Sequence, residues 1–280
     1  MAAFLSLAMV ISIFPASVLA ADGETTVGSS GVVTNKTATL TDDGTYTINL
    51  EAYATGATTT TTTTVKSGEP LDIVLVLDQS GSMKESGYVE PLKTAVTNFV
   101  SNISKNGKEY SVDHRIALVG YASRYDSNSK WANTGLFING ELYNYQEVGS
   151  TTETTRLTSE HYKNALVSVN DNNGGVNSSI TTAITKINGN GATYTNYGIE
   201  MANGIFKNNS DEYIKPDGTK GTRKRIVVVF TDGQPGRRGY DENIANVALQ
   251  EAYKSKNTYG ATVYTVGLYD NANDNVTNFM

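Results

Sequence analysis

The chain has 280 residues, enough for one large domain and an accessory piece. Hydrophobic residues make up 39% and charged residues 18%, the balance of a globular chain with a real core; the net charge of −6 argues against a nucleic-acid partner, which needs a Lys/Arg excess on one face. With no cysteine, disulfides and thiolate metal sites are excluded.

Residues 1–20, MAAFLSLAMVISIFPASVLA, carry no charged side chain. An apolar stretch that ends in small residues reads as a secretory signal peptide cleaved after Ala20. Pro15 and the small-residue end disfavour the alternatives, a membrane anchor or a buried helix. The missing basic residues before the apolar core point to a true start further upstream. An exported chain without cysteine fits a bacterial surface better than an animal extracellular space.

Residues 21–57 form an expected N-terminal β segment. GVVTNKTATLTDDGTYTINLEAYA alternates β-branched or apolar residues with polar ones around Asp43-Gly44, a hairpin signal. The threonine run Thr58 to Thr64 opens a stretch, 58–69, that reads as a linker, with an extended edge strand as the alternative. Lys36 in this segment reads as an exposed lysine, and no cross-link is assigned to it.

From residue 70 onward strands and helices alternate. DIVLVLD is nearly all apolar, as a strand covered on both faces requires. PLKTAVTNFVSNI places Pro91 in a first helical turn and repeats Leu92, Ala95, Val96, Phe99 and Ile103 at helical spacing. RIALVGYAS (115–123) is a second strand, RIVVVFTDG (225–233) a third and ATVYTVGL (261–268) a last one. Helices are expected over 178–187, 197–206 and 241–256. Between Ala122 and Ser159 the pattern weakens, with a surface hairpin over TGLFINGELYNYQEV. This order implies an α/β fold with a doubly wound, mostly parallel sheet between helical layers. The final strand needs a covering helix, and little chain remains for one, so the domain at 70–280 reads as incomplete at its C-terminus.

In such a sheet the functional crevice lies at the carboxyl ends of the strands. Two strands end there in an acid, Asp78 and Asp232. NGNGATYTNYG (188–198) adds Thr193 and Thr195 in a Gly-rich turn before a helix. Asp78, Ser80, Ser82, Thr193 and Asp232 offer only oxygen, the donor set of a hard cation such as Mg²⁺, with Mn²⁺ or Ca²⁺ as substitutes. Two carboxylates balance a divalent charge, and the weakly donating hydroxyls leave the ion electrophilic enough to take an outside carboxylate. Gly81, Gly191 and Gly233 let the backbone fold closely around it. Thr195 stands as the alternative threonine donor, or as an N-cap.

The motifs DQSGSM, GATYT and FTDG resemble the von Willebrand factor A domain with its metal-ion-dependent adhesion site. The family's Asp-x-Ser-x-Ser motif matches Asp78, Ser80 and Ser82, its threonine matches Thr193, and its third-loop aspartate matches Asp232. The resemblance implies a doubly wound fold with one antiparallel edge strand, and metal-dependent adhesion to a protein ligand that supplies an acidic side chain. It is nearest to Gram-positive surface proteins and pilus-tip adhesins, normally anchored to the cell wall. A structural surface or pilus subunit whose metal only steadies its loops is the alternative.

Enzyme readings fare worse. A serine hydrolase needs a base beside its nucleophile; His114 and His161 are the sole histidines, read as boundary or surface residues. DQSGS departs from the Gly-x-Ser-x-Gly elbow, and no phosphate loop is present. TRKR (222–225) reads as a solvated edge, and Trp131 with the tyrosines as a contact surface or as ordinary strand residues.

Overall fold

The computed structural model describes residues 26–27, 32–40, 46–54, 59–65, 68–123, 133–145, 157–215, 217–237 and 239–267. The signal peptide, Trp131 and the region of the expected last helix lie outside the described residues.

Near the N-terminus β1 (Thr26–Val27), β2 (Val32–Leu40), β3 (Tyr46–Ala54) and β4 (Thr59–Val65) form an antiparallel sheet in chain order. Val32 pairs with Ala54 and Leu40 with Tyr46, the hairpin read around Asp43-Gly44. The threonine run departs from expectation. Read as a linker over 58–69, it instead supplies the edge strand β4, with Thr59 opposite Ala52 and Val65 opposite Tyr46. β-Branching at every position favours extended backbone, and an edge strand can form without an apolar alternation.

The large sheet begins with β5 (Leu71–Asp78), followed by α1 (Gly81–Glu85), α2 (Val89–Glu109), β6 (Arg115–Tyr121), β7 (Gly135–Ile138) and β8 (Glu141–Asn144). Then come α3 (Ser159–Ala165), β9 (Val167–Ser168), α4 (Ser178–Thr185), α5 (Thr195–Asn208), the small hairpin β10 (Glu212–Ile214) and β11 (Lys220–Thr222), β12 (Lys224–Thr231), α6 (Glu242–Tyr259) and β13 (Thr262–Gly267). Strand order is β13-β12-β5-β6-β7-β8, with β9 also paired to β6. β13, β12, β5 and β6 are parallel; β7 and β8 are antiparallel. The hairpin expected at the surface therefore extends the sheet, and all four residues of β7 are buried.

Every residue of β5 is buried, which is why its sequence lacks polar alternation. Ile73, Leu75 and Leu77 pack with Leu92, Val96 and Phe99 of α2 and Ile180 of α4. Val74 and Val76 face the other way, onto Ile199, Ala202 and Ile205 of α5. Burying each such side chain stabilises the fold by roughly 1.5–3 kcal/mol. Asp241 caps α6 by accepting from the Asn243 and Ile244 amides, and Gly260 ends it at φ 64°.

Two expectations fail at the amino edge of the sheet. His114 is buried, not a surface or boundary residue: its Nδ1 accepts from the Leu71 amide at 3.1 Å and its Nε2 lies 2.9 Å from Asn106 Oδ1. TRKR is solvated only at Thr222 and Lys224. Arg223 binds Asp113, and Arg225 donates to the carbonyls of Phe206 and Asn209, their side chains only 10% exposed. Both arginines meet partners remote in sequence, which local composition cannot reveal. His161 lies in α3, where it closes a capping box with Thr158.

Candidate metal centre

The carboxyl ends of β5 and β12 lie side by side because the two strands pair in register, Phe230 opposite Leu77. The next residues along, Asp78 and Thr231-Asp232, therefore share one rim. Asp78 is fully buried. Its Oδ1 accepts from the Ser80 amide at 2.8 Å, and its Oδ2 accepts from Thr231 Oγ1 at 2.9 Å and the Tyr121 hydroxyl at 3.2 Å. Ser82 Oγ donates to Asp232 Oδ1 at 2.9 Å, so the Ser80 hydroxyl donates to Ser82 across 3.0 Å. A hydrogen-bonded chain thus links the two acids, through the Ser80 amide at Asp78 and through the two serine hydroxyls to Asp232. It grades from buried Asp78 and Ser80, through half-buried Asp232, to exposed Ser82.

The Gly-rich turn joins this rim through its backbone. Thr193 and Gly236 exchange amide–carbonyl bonds at 2.8 and 2.9 Å, which ties the second loop to the loop after Asp232. The Gly81 amide donates to the Gly191 carbonyl at 2.9 Å, and the Ala192 amide to Ser123 Oγ at 2.8 Å. Gly191 is required here: its φ is +101°, and a Cβ would lie 2.5 Å from Ser123 Oγ. Gly233 is not, since a Cβ there would meet nothing within 4 Å. Thr195 is the first residue of α5 rather than its cap, which is Tyr194. The structure thus links Asp78, Ser80, Ser82 and Asp232 by hydrogen bonds and ties Thr193, through its backbone, to the loop that follows Asp232.

Electrostatics mark the site. Burial raises the Asp78 carboxyl above the usual range, against the lowering effect of its hydrogen bonds to Ser80, Thr231 and Tyr121. Burial, and then the charge of Asp78, push Asp232 up to about 7. Asp232 Oδ2 is buried with no hydrogen-bond partner, as is Thr195 Oγ1. Among the described residues no three His, Asp or Glu side chains group closely enough to hold an ion, so a metal site needs these hydroxyls. Oxygen-only donors, two acids and an unpartnered carboxylate oxygen fit a hard divalent cation. Tyr121 and Thr231, which position Asp78, were not singled out from sequence, because each reads as an ordinary strand residue.

The von Willebrand factor type A domain model matches residues 72–279. The chain belongs to this family. The fold of the A domain is the doubly wound sheet just described. Solved structures similar to the chain include the pilus adhesin SpaC of Lactobacillus rhamnosus GG in its open conformation, at 17% identity and TM-score 0.40, covering 89% of this chain and 30% of that one. A von Willebrand factor type A protein of Catenulispora acidiphila matches at 12% identity and TM-score 0.39, covering 80% of this chain and 35% of that one. The pilus adhesin RrgA of Streptococcus pneumoniae matches at 20% identity and TM-score 0.35, covering 72% and 25%. The chain therefore spans about a third or less of these proteins. No curated protein sequence matches it.

Proposed function

We propose that this A domain is a secreted or cell-surface adhesion module. It holds Mg²⁺, with Mn²⁺ or Ca²⁺ as substitutes, on Asp78, Ser80, Ser82, Thr193 and Asp232, and it captures a protein ligand through an acidic side chain. The observation that carries this reading is buried charge without counter-charge. Among the described residues, neither Asp78 nor Asp232 pairs with a lysine or arginine. At the other end of β5, the equally buried Asp72 accepts two bonds from Arg115, each 2.7 Å, with Arg223 3.8 Å away. Buried carboxylates are normally paired or coordinate metals. Asp72 follows the first course, and the donor set around Asp78 suits the second.

A bound divalent ion would supply Lewis acidity toward an incoming carboxylate. The chain's own residues do the rest. Asp78 and Ser80 form the buried floor, Asp232 supplies the second acid, and exposed Ser82 marks the side open to a partner. Binding rather than catalysis suits the surroundings, since His114 lies at the opposite edge of the sheet and His161 caps its own helix. Among the described residues no helix is long and apolar enough to cross a membrane.

Calorimetry with magnesium chloride tests the site: the wild type binds, whereas Asp78→Asn and Asp232→Asn do not. Equal affinity in either variant would overturn the reading. Water-proton relaxation with Mn²⁺ separates adhesion from a purely structural ion. An exchangeable water on the bound ion enhances relaxation and marks the position a ligand takes; a closed coordination sphere gives no enhancement.

A further inference from the structure

Gln79 lies inside the motif Asp78-x-Ser80, between two candidate ligands, yet it is 0% exposed. Both ends of its amide are used. Nε2 donates to the Asn133 carbonyl at 3.0 Å, and Oε1 accepts from the Asn188 amide at 3.1 Å. Its backbone is held as well: the Gln79 amide donates to the Tyr121 carbonyl at 2.8 Å, and its carbonyl accepts from the Asn190 amide at 2.8 Å. Asn133 closes the ring, its Nδ2 donating to Asn188 Oδ1 at 2.7 Å and to the Asn190 carbonyl at 3.3 Å. Four residues on three separate segments thus form one hydrogen-bonded amide network beside the metal loops. Space for it is reserved in the neighbouring strand, where a Cβ on Gly120 would lie 1.9 Å from Gln79 Nε2.

We propose that Gln79 is a positioning residue for the cation. It fixes the first loop, which carries Ser80 and Ser82, against the turn that carries Thr193, before any ion arrives. This inference rests on the metal reading above. The argument is geometric. Ser80 and Ser82 lie one and three residues after Gln79, and Asn190 is three residues before Thr193, so the network ties together two donor-bearing segments without spending a donor. A ligand set drawn from separate loops binds tightly only when those loops are already in place, and the groups that hold them act on affinity without touching the ion. Gln79 itself is buried with both ends of its amide satisfied, and a buried side chain held in this way rigidifies the loop that carries it.

The experiment is Mg²⁺ calorimetry, with melting temperature in chelator, on wild type, Gln79→Ala, Gly120→Ala, the double variant Gln79→Ala/Gly120→Ala and Asp232→Asn. Gln79→Ala weakens Mg²⁺ binding by roughly 10- to 100-fold. Gly120→Ala weakens it as well with Gln79 still present, because the new methyl displaces the amide. In the double variant that methyl occupies the space Gln79 vacates, so melting recovers toward wild type while Mg²⁺ affinity stays low. Wild-type affinity in Gln79→Ala overturns the inference, and so does a double variant that regains affinity along with melting temperature, which would make Gln79 a packing residue. Failure of the metal reading looks different: Asp232→Asn binds like the wild type, or the wild type takes up no Mg²⁺, and this inference falls with it.

Discussion

Replacing His114 by glutamine should remove an acid sensitivity built into the amino edge of the sheet. His114 is 3% exposed, and its Nδ1 accepts from the Leu71 amide, so the proton sits on Nε2 and is donated to Asn106 Oδ1. A second proton would set two N–H groups against each other at the start of β5. Burial is the main cause that lowers the group to about 4; Arg223 adds to this and Asp113 opposes it. The unfolded chain titrates near 6.5. Between those values the unfolded state binds more protons than the native one, so stability falls as pH drops from about 6.5 to 4 and is fully present above that window. A difference of about 2.5 pH units corresponds to roughly 3 kcal/mol. Asp78 and Asp232 titrate at the far edge and cancel when wild type is compared with His114→Gln. Urea unfolding of both proteins from pH 7 to pH 4, in chelator, should show their stability difference shifting by that amount in favour of the variant. Parallel curves would refute the reasoning.

Other outcomes follow from the same geometry. Mg²⁺ at about a hundred times its dissociation constant should stabilise the wild type by roughly 2.7 kcal/mol in thermal unfolding, and Asp232→Asn should lose that gain. Asp72→Ala leaves Arg115 without its buried partner and should cost about 3–5 kcal/mol by urea titration. Asp78→Asn, by contrast, removes a buried charge that no cation offsets, so in chelator it should leave stability unchanged or raised while abolishing Mg²⁺ binding. Gly191→Ala combines φ of +101° with a 2.5 Å approach to Ser123 Oγ, and should lower melting temperature and Mg²⁺ affinity together.

The architecture was legible where one physical requirement dominates a segment. β5 and β12 are covered by helices on both faces, so they read as apolar runs, and their parallel pairing brings the terminal Asp78 and Asp232 to one rim. Helices α2 and α5 were visible from apolar spacing. What escaped depends on distant partners. α1, β9 and the β10–β11 hairpin are too short to carry a period. His114, Arg223 and Arg225 are polar side chains whose burial is made tolerable by Asn106, Asp113 and the carbonyls of Phe206 and Asn209. The threonine run misled for a different reason: its monotony hid a strand that β-branching favours. In the candidate site, the donor types could be read, but not the residues that aim them. Tyr121, Thr231 and Gln79 have ordinary identities, and only the fold turns them toward Asp78 and the loops.

The mixture of two acids with hydroxyls has a consequence for how such a site can work. Each further carboxylate would tighten an ion but add buried negative charge to the empty protein, and Asp78 and Asp232 already raise each other's cost of ionisation. Hydroxyls add donors without that cost, and they can hydrogen-bond to one another and to an acid, as in the Ser80–Ser82–Asp232 chain. Fewer charges also neutralise the cation less completely, which keeps its attraction for an external acid. In the proposed adhesion role, a site that limits buried negative charge to two acids and leaves the remaining donors uncharged allows contact with a partner to be reversible and dependent on cation supply.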